Sequence, residues 1–147
     1  MSESQIPQEF ADSPGFLFIQ AAKIIRRSVE EALNPMELHS YEYGLLKVIS
    51  VTGPLPQQVF ADRFSIDKTS VVDIVKGLEK RDLIYRKRSD ADRRVKLLHL
   101  TPRGNATVTR ATKRVHKAHK EFLEPLSDEE WGVTKKVILK LLMHHQI

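Results

Sequence analysis

Two carboxylates and two guanidinium groups crowd the five residues Asp90-Ala91-Asp92-Arg93-Arg94. On either side lie stretches that read as β-strands, Ile84 to Ser89 and Val95 to Thr101, the first carrying Arg86, Lys87 and Arg88. Two short runs around a tight polar turn predict a two-stranded ribbon. A tip bearing arginines alone would repel itself. Asp90 or Asp92 can hold one arginine and leave the other projecting; we assign Arg94 as the braced partner of Asp92 and Arg93 as the projecting cation. A lone extended guanidinium suits the narrow, strongly negative minor groove of A/T-rich duplex DNA. Arg86 and Arg88 enlarge the basic surface behind it. The competing reading is an exposed ion-pair cluster, which contributes little energy.

Other chemistries find little support. The chain has 147 residues and no cysteine, which removes disulfides, thiolate catalysis and cysteine-ligated zinc. There is no phosphate loop, nucleophile elbow, His-Glu-x-x-His or convincing acid pair, so an enzyme is not expected. His116 and His119 lie three residues apart, but a third ligand at informative spacing is missing, and we expect neither a metal nor a cofactor. No apolar run approaches the length of a membrane span, and no signal segment opens the chain; a cytoplasmic protein without a membrane partner is the expectation.

The charge is unevenly placed. Residues 1–50 hold 4 Lys/Arg against 7 Asp/Glu, residues 51–126 hold 17 against 9, and residues 127–147 hold 3 of each. The positive excess lies in the middle, as a polyanion-binding segment requires.

The elements that would position the ribbon follow from caps and periodicity. Met1 to Asp12 reads as a loose arm. Ser13-Pro14 opens a helix whose apolar residues, Leu17, Ala21, Ile24, Ile25, Val29 and Leu33, recur at helical spacing until Asn34-Pro35 ends it. A second helix starts at Ser40 and stops at Gly53-Pro54. A short helix over Gln57 to Phe64, a turn at Ser65-Ile66 and a helix from Lys68 to about Arg81, capped by Asp67, form a helix-turn-helix. Phe60, Ala61, Phe64, Ile66, Val71 and Ile74 would wedge its helices apart. Thr101-Pro102 opens a long helix to Leu123, and the capping box Ser127 to Glu130 opens a last one. The predicted fold is thus mainly α with a small β-hairpin: a winged helix-turn-helix lobe at 40–101, flanked by dimerisation helices at 1–36 and 102–147, all within one domain.

If Val71, Ile74, Val75 and Leu78 face inward, then Lys68, Thr69, Ser70, Val72, Asp73 and Lys76 face outward, a surface suited to a major groove. Thr69 and Ser70 can donate to phosphate at the helix N-terminus. Lys68 and Lys76 reach phosphate or guanine edges, and Val72 packs on a thymine methyl. Asp73 either accepts from a cytosine amino group or orients a lysine.

Residues 45–104 resemble the DNA-binding lobe of the MarR (multiple antibiotic resistance regulator) family. The resemblance is carried by Leu78-Glu79-Lys80-Arg81-Asp82-Leu83-Ile84, by Asp90-Ala91-Asp92-Arg93-Arg94, and by Leu100-Thr101-Pro102-Arg103-Gly104. It extends more loosely over nearly the whole chain. It implies a transcriptional regulator, most often a repressor, that forms a homodimer through its first helix and last two. It further implies binding to a pseudo-palindromic double-stranded operator, and release by a small-molecule effector such as an aromatic acid or phenol. The chain departs from the pattern at Pro56, where a Ser or Thr cap is usual, and at Asp73, where Arg is frequent; Gly77 also weakens the recognition helix.

The ends of the chain hold more apolar residues than a small lobe needs, Leu17, Ile24, Trp131, Val137 and Leu141 among them, which points independently to a second subunit. For an effector, Arg26, His39, Tyr41 and Tyr43 fall near the junction of the dimer helices and the lobe. The alternative function is a winged-helix module that binds protein without specific DNA recognition.

Overall fold

The computed structural model describes residues 6–145. Its elements run α1 (Gln8–Ala11), α2 (Pro14–Leu33), a 3-10 turn (Asn34–Met36), α3 (Ser40–Thr52), α4 (Gln57–Phe64), α5 (Lys68–Lys80), β1 (Ile84–Arg88), β2 (Lys96–Leu100), α6 (Pro102–Leu123) and α7 (Asp128–His144). The fold is mainly helical with one hairpin. One expectation needs correcting: part of the loose arm is α1, one helical turn whose Phe10 ring lies 5.0 Å from that of Phe16 on α2. That apolar contact rewards ordering which the local sequence does not encode.

The caps act as their chemistry dictates. Ser13, Asp67, Thr101 and Ser127 each accept from the amide three residues on, satisfying a donor the helix cannot. Pro56 supplies no such side chain, so α4 begins without a side-chain cap.

The strands pair antiparallel with Ile84 opposite Leu100 and Arg88 opposite Lys96. Each is shorter than the sequence suggests, because Ser89 and Val95 close the turn with a backbone bond of 2.9 Å instead of extending the ladder. Leu55, between α3 and α4, adds an isolated bridge to Leu98, its carbonyl accepting from the Leu98 amide at 2.8 Å.

One core unites α3, α4, α5, the hairpin, the C-terminal end of α2 and the first half of α6. Phe60, Leu33, Leu45, Leu46, Leu78, Val75 and Ala111 are fully buried in it. The wedge is looser than expected: Phe60, Ala61 and Val71 are buried, whereas Ile66 and Ile74 are half-buried and Phe64 is exposed, stacked at a tilt 4.7 Å from Phe60. Phe64 ends its helix, where the chain turns outward. Ser65 makes that turn with a left-handed φ of 51°, a conformation glycine adopts most easily.

Gly104 carries a stricter demand. A Cβ placed there would lie 1.9 Å from the Leu83 carbonyl oxygen. The close approach comes from Thr101, whose hydroxyl donates to the Asp82 carbonyl at 2.6 Å and accepts from the Gly104 amide at 2.9 Å, while its own amide donates to Leu83. This clamp fixes where α6 leaves the hairpin, and so fixes the hairpin's angle to α5.

Candidate nucleic-acid interface

α5 and the hairpin share an edge. Arg86 on β1 pairs with Glu79 on α5 at 2.9 Å. The bond spans the two elements that the sequence assigns to the two grooves, so Arg86 is committed within the chain. Arg88 is likewise engaged, donating from Nη1 to the Arg93 carbonyl at 3.0 Å. Both were expected to face DNA as basic contacts; their first partners are intramolecular, because each lies within reach of an acceptor on a neighbouring element.

At the tip, Asp92 accepts from Arg94 at both oxygens, 3.1 Å from Nε and 3.1 Å from Nη2, and from the Arg94 amide at 3.0 Å. These bonds, the guanidinium first, hold the Asp92 carboxyl below the usual carboxylate range. Ser89 Oγ accepts from the Ala91 and Asp92 amides, closing the turn from the other side. Asp90 takes no arginine: it is exposed and makes no side-chain bond among the described residues, so bracing falls to Asp92 and Ser89. Arg93 projects exposed, and no carboxylate pairs with it among the described residues. The tip is therefore a pinned loop with one guanidinium left over.

On α5, Lys68, Thr69, Ser70, Asp73 and Lys76 are exposed and Val72 is half-buried. Val71, Val75 and Leu78 turn inward to the core, which orients the outward face. Ser70 corrects the sequence reading. Its hydroxyl donates to Asp67 at 2.5 Å and its amide donates to the same carboxylate at 2.9 Å, so it braces the helix start and Thr69 alone keeps a hydroxyl for phosphate. The Ser70 hydroxyl, then its amide, lower the Asp67 pKa. A capping carboxylate is the strongest acceptor nearby, and it outcompetes any role the hydroxyl would have facing solvent.

The four residues expected near a ligand do not all meet. Arg26, His39 and Tyr41 line a cleft of about 700 Å³ between α2, the start of α3 and α5, together with Ser65, Ile66, Asp67, Ser70 and Ile74. The Arg26 guanidinium lies over the Tyr41 ring, 5.2 Å from its centroid. Tyr43 lies elsewhere: it packs on the core and its hydroxyl is 3.4 Å from that of Thr112 on α6. Two residues along a helix is about 200° around it, so Tyr41 and Tyr43 face opposite sides.

A network that the sequence reading missed borders this cleft. Glu30 on α2 accepts from the Ser40 amide at 3.2 Å and approaches His39 Nδ1 at 3.6 Å. Burial alone would raise the Glu30 pKa, but the Ser40 bonds and His39 outweigh it and lower it. Glu42 accepts from the His39 amide at 2.9 Å and pairs with Arg81, just past α5, at 3.5 Å; Arg81 also donates to the Met36 carbonyl at 3.2 Å. The two carboxylates thereby link α2, α3 and the end of α5. Their sequence separations of 10 and 39 residues gave no local signal.

The arrangement matches known proteins. Residues 38–96 match the sequence model of the MarR family. A curated relative from Thauera aromatica, described as a putative transcriptional regulatory protein for the hcr operon, is 35% identical over 99 residues, covering 67% of this chain. The chain spans 60% of that relative's length. The segment from the start of α3 to the wing thus carries a MarR-family match.

Solved structures agree over more of the chain. CouR from Rhodococcus jostii RHA1, bound to p-coumaroyl-CoA, superposes with a TM-score of 0.82 at 28% identity, over 95% of this chain and 94% of that one. A probable transcriptional regulator from Pseudomonas aeruginosa gives 0.80 at 25% identity, over 89% and 98%. The MarR family acts in transcription regulation and its members are not enzymes. No helix among the described residues is long and apolar enough to cross a membrane.

Proposed function

We propose that this chain is a MarR-family regulator that acts as a homodimer, binds a pseudo-palindromic operator, represses transcription there and leaves when a small aromatic ligand binds. Each protomer inserts α5 into the major groove and Arg93 into the flanking minor groove. The observation that carries this reading is the pinned tip: Asp92, Arg94, Ser89 and the Arg88 bond to the Arg93 carbonyl hold one unpaired guanidinium out from a loop with no other evident purpose. Lys68, Thr69 and Lys76 supply the remaining contacts from a helix whose tilt is set by Glu79–Arg86 and Glu42–Arg81.

Dimerisation is supported by the two ends of the chain. Leu17, Phe18, Ile19 and Ile24 on α2 and Val133, Val137, Leu141 and Leu142 on α7 are exposed, and no residue of α7 is buried. A second copy laying its own α2 and α7 on these covers both. The two α5 helices would then enter grooves about one DNA turn, roughly 34 Å, apart.

The ligand reading rests on the cleft beneath α2. The Tyr41 ring, Ile66 and Ile74 offer an apolar wall, and Asp67 and Ser70 place the start of α5 in the same lining. An aromatic ring replacing Arg26 over Tyr41 would press directly on the recognition helix. CouR's aromatic thioester makes a phenolic acid, free or as a thioester, the ligand class to try first.

Gel-shift titration on operator fragments selected from genomic DNA checks the whole reading. Arg93→Ala is expected to weaken operator binding by about 10- to 100-fold, and Lys68→Ala to weaken all duplexes alike and lower the salt slope by about 1. Unchanged affinity in Arg93→Ala would leave a module that docks on protein.

A further inference from the structure

A second concavity, of about 510 Å³, lies where the 3-10 turn after α2, the C-terminal end of α5 and the opening turns of α6 meet. Arg81, Arg103 and Arg110 line it, with Glu37 as the single carboxylate in its wall. Arg81 is already shared between Glu42 and the Met36 carbonyl. Arg103 and Arg110 pair with no carboxylate among the described residues. They stand seven residues apart on α6, which places them on one face and about 10 Å apart along the axis. With Arg81 offset by Glu42, Arg103 and Arg110 leave the hollow a positive excess that an entering anion would offset. Their planar forks suit carboxylate and phosphate oxygens. Two arginines placed in this way can each hold one anionic group, which suits a ligand bearing two.

We propose that this concavity is a binding site for a small anion bearing two carboxylate or phosphate groups, distinct from the aromatic cleft. Arg103 and Arg110 grip its two ends, and Arg81 contacts its middle. Because Arg81 directly follows α5 and ties it to α3 through Glu42, occupancy draws on the tether that sets the recognition helix. The site thus gives the protein a second, charge-reading input to its DNA-binding face.

Calorimetric titration of the full chain at low ionic strength with pyrophosphate, succinate and orthophosphate tests this. Saturable binding of pyrophosphate or succinate, one per chain and about tenfold tighter than orthophosphate, is expected, with the better of the two dianions identifying the anionic group. The double variant Arg103→Ala/Arg110→Ala should lose about tenfold or more, while Lys113→Ala/Lys120→Ala, which removes the same charge from exposed positions on the same helix, should keep its affinity within about twofold. Absence of saturation with both dianions overturns the proposal. So does equal loss in the two double variants, which would reveal only a general positive field, and so does orthophosphate binding as tightly as either dianion. Operator binding without added anion is measured separately on the same preparations, so a failure of DNA recognition is not mistaken for a failure of this site.

Discussion

The winged lobe and the terminal helices solve opposite problems. Between Ser40 and Thr101 most of the large aliphatic residues turn inward and charge turns outward: Phe60, Leu45, Leu78 and Leu98 are inside, and Lys68, Lys76 and Arg93 are outside. The first half of α2 and all of α7 do the reverse. Val137 is 51% exposed and Met143 75%, on helices whose caps are well formed. A good cap makes a helix, but only a partner surface gives its apolar stripe somewhere to go. The lobe's core is closed within the chain, with α2 and α6 contributing Leu33 and Ala111, while the ends keep apolar stripes that the proposed association would cover.

Substitutions at the two regions should fail in different ways. A large effect is expected at the hinge between them. Gly104→Ala drives a methyl into the Leu83 carbonyl, a backbone oxygen rather than the end of a flexible side chain, and should cost about 3 kcal/mol or more and break the Thr101 clamp. Thermal melting of the full-length variant checks this; a melting temperature near that of the parent would show that α6 can leave the hairpin at another angle.

The next pair sharpens the contrast directly. Phe60→Ala empties the centre of the lobe and should cost about 3–5 kcal/mol at any protein concentration. Leu141→Asp, on the exposed face of α7, should leave the lobe folded but shift sedimentation from dimer to monomer. If Leu141→Asp unfolds the lobe instead, the two regions are one cooperative unit and the division drawn here is wrong.

The smallest effect concerns protons. Burial, with His116 adding to it, holds the His119 pKa below its usual 6.5 on α6. The folded protein then binds this proton less readily than the unfolded one, so His119 contributes stability above about pH 6.5 that is lost as the pH falls through its folded value. His119→Gln should flatten the decline in melting temperature between pH 7 and pH 5, with no change in the wing or in α5. A parallel decline in variant and parent would assign the acid sensitivity elsewhere.

The local chemistry of the chain was legible from residues alone wherever the partner lies a few positions away. Ser13, Asp67, Thr101 and Ser127 announce their helices because a cap and its amide are three residues apart. The Asp92–Arg94 pair could be assigned because a tight turn leaves those side chains little else to meet. Ser70 was misread for the same local reason in reverse: its competition with Asp67 for the helix start looks, in sequence, like a free hydroxyl beside a groove. Tyr43 was grouped with Tyr41 by proximity in sequence, although helical rotation separates them.

Periodicity, caps and the charged turn were enough to set the order of elements, the face of α5 turned to solvent and the arginine left over at the wing tip. All are decided by contacts within a turn or two. Tertiary structure alone decided that Arg86 and Arg88 are held by Glu79 and by the Arg93 carbonyl, that Glu30 and Glu42 bind α2, α3 and α5 together, and that Arg81, Arg103 and Arg110 share one hollow. Electrostatic partners are chosen by distance in space, and the close approach at Gly104 brings together segments about twenty residues apart, a distance over which neither spacing nor propensity carries information.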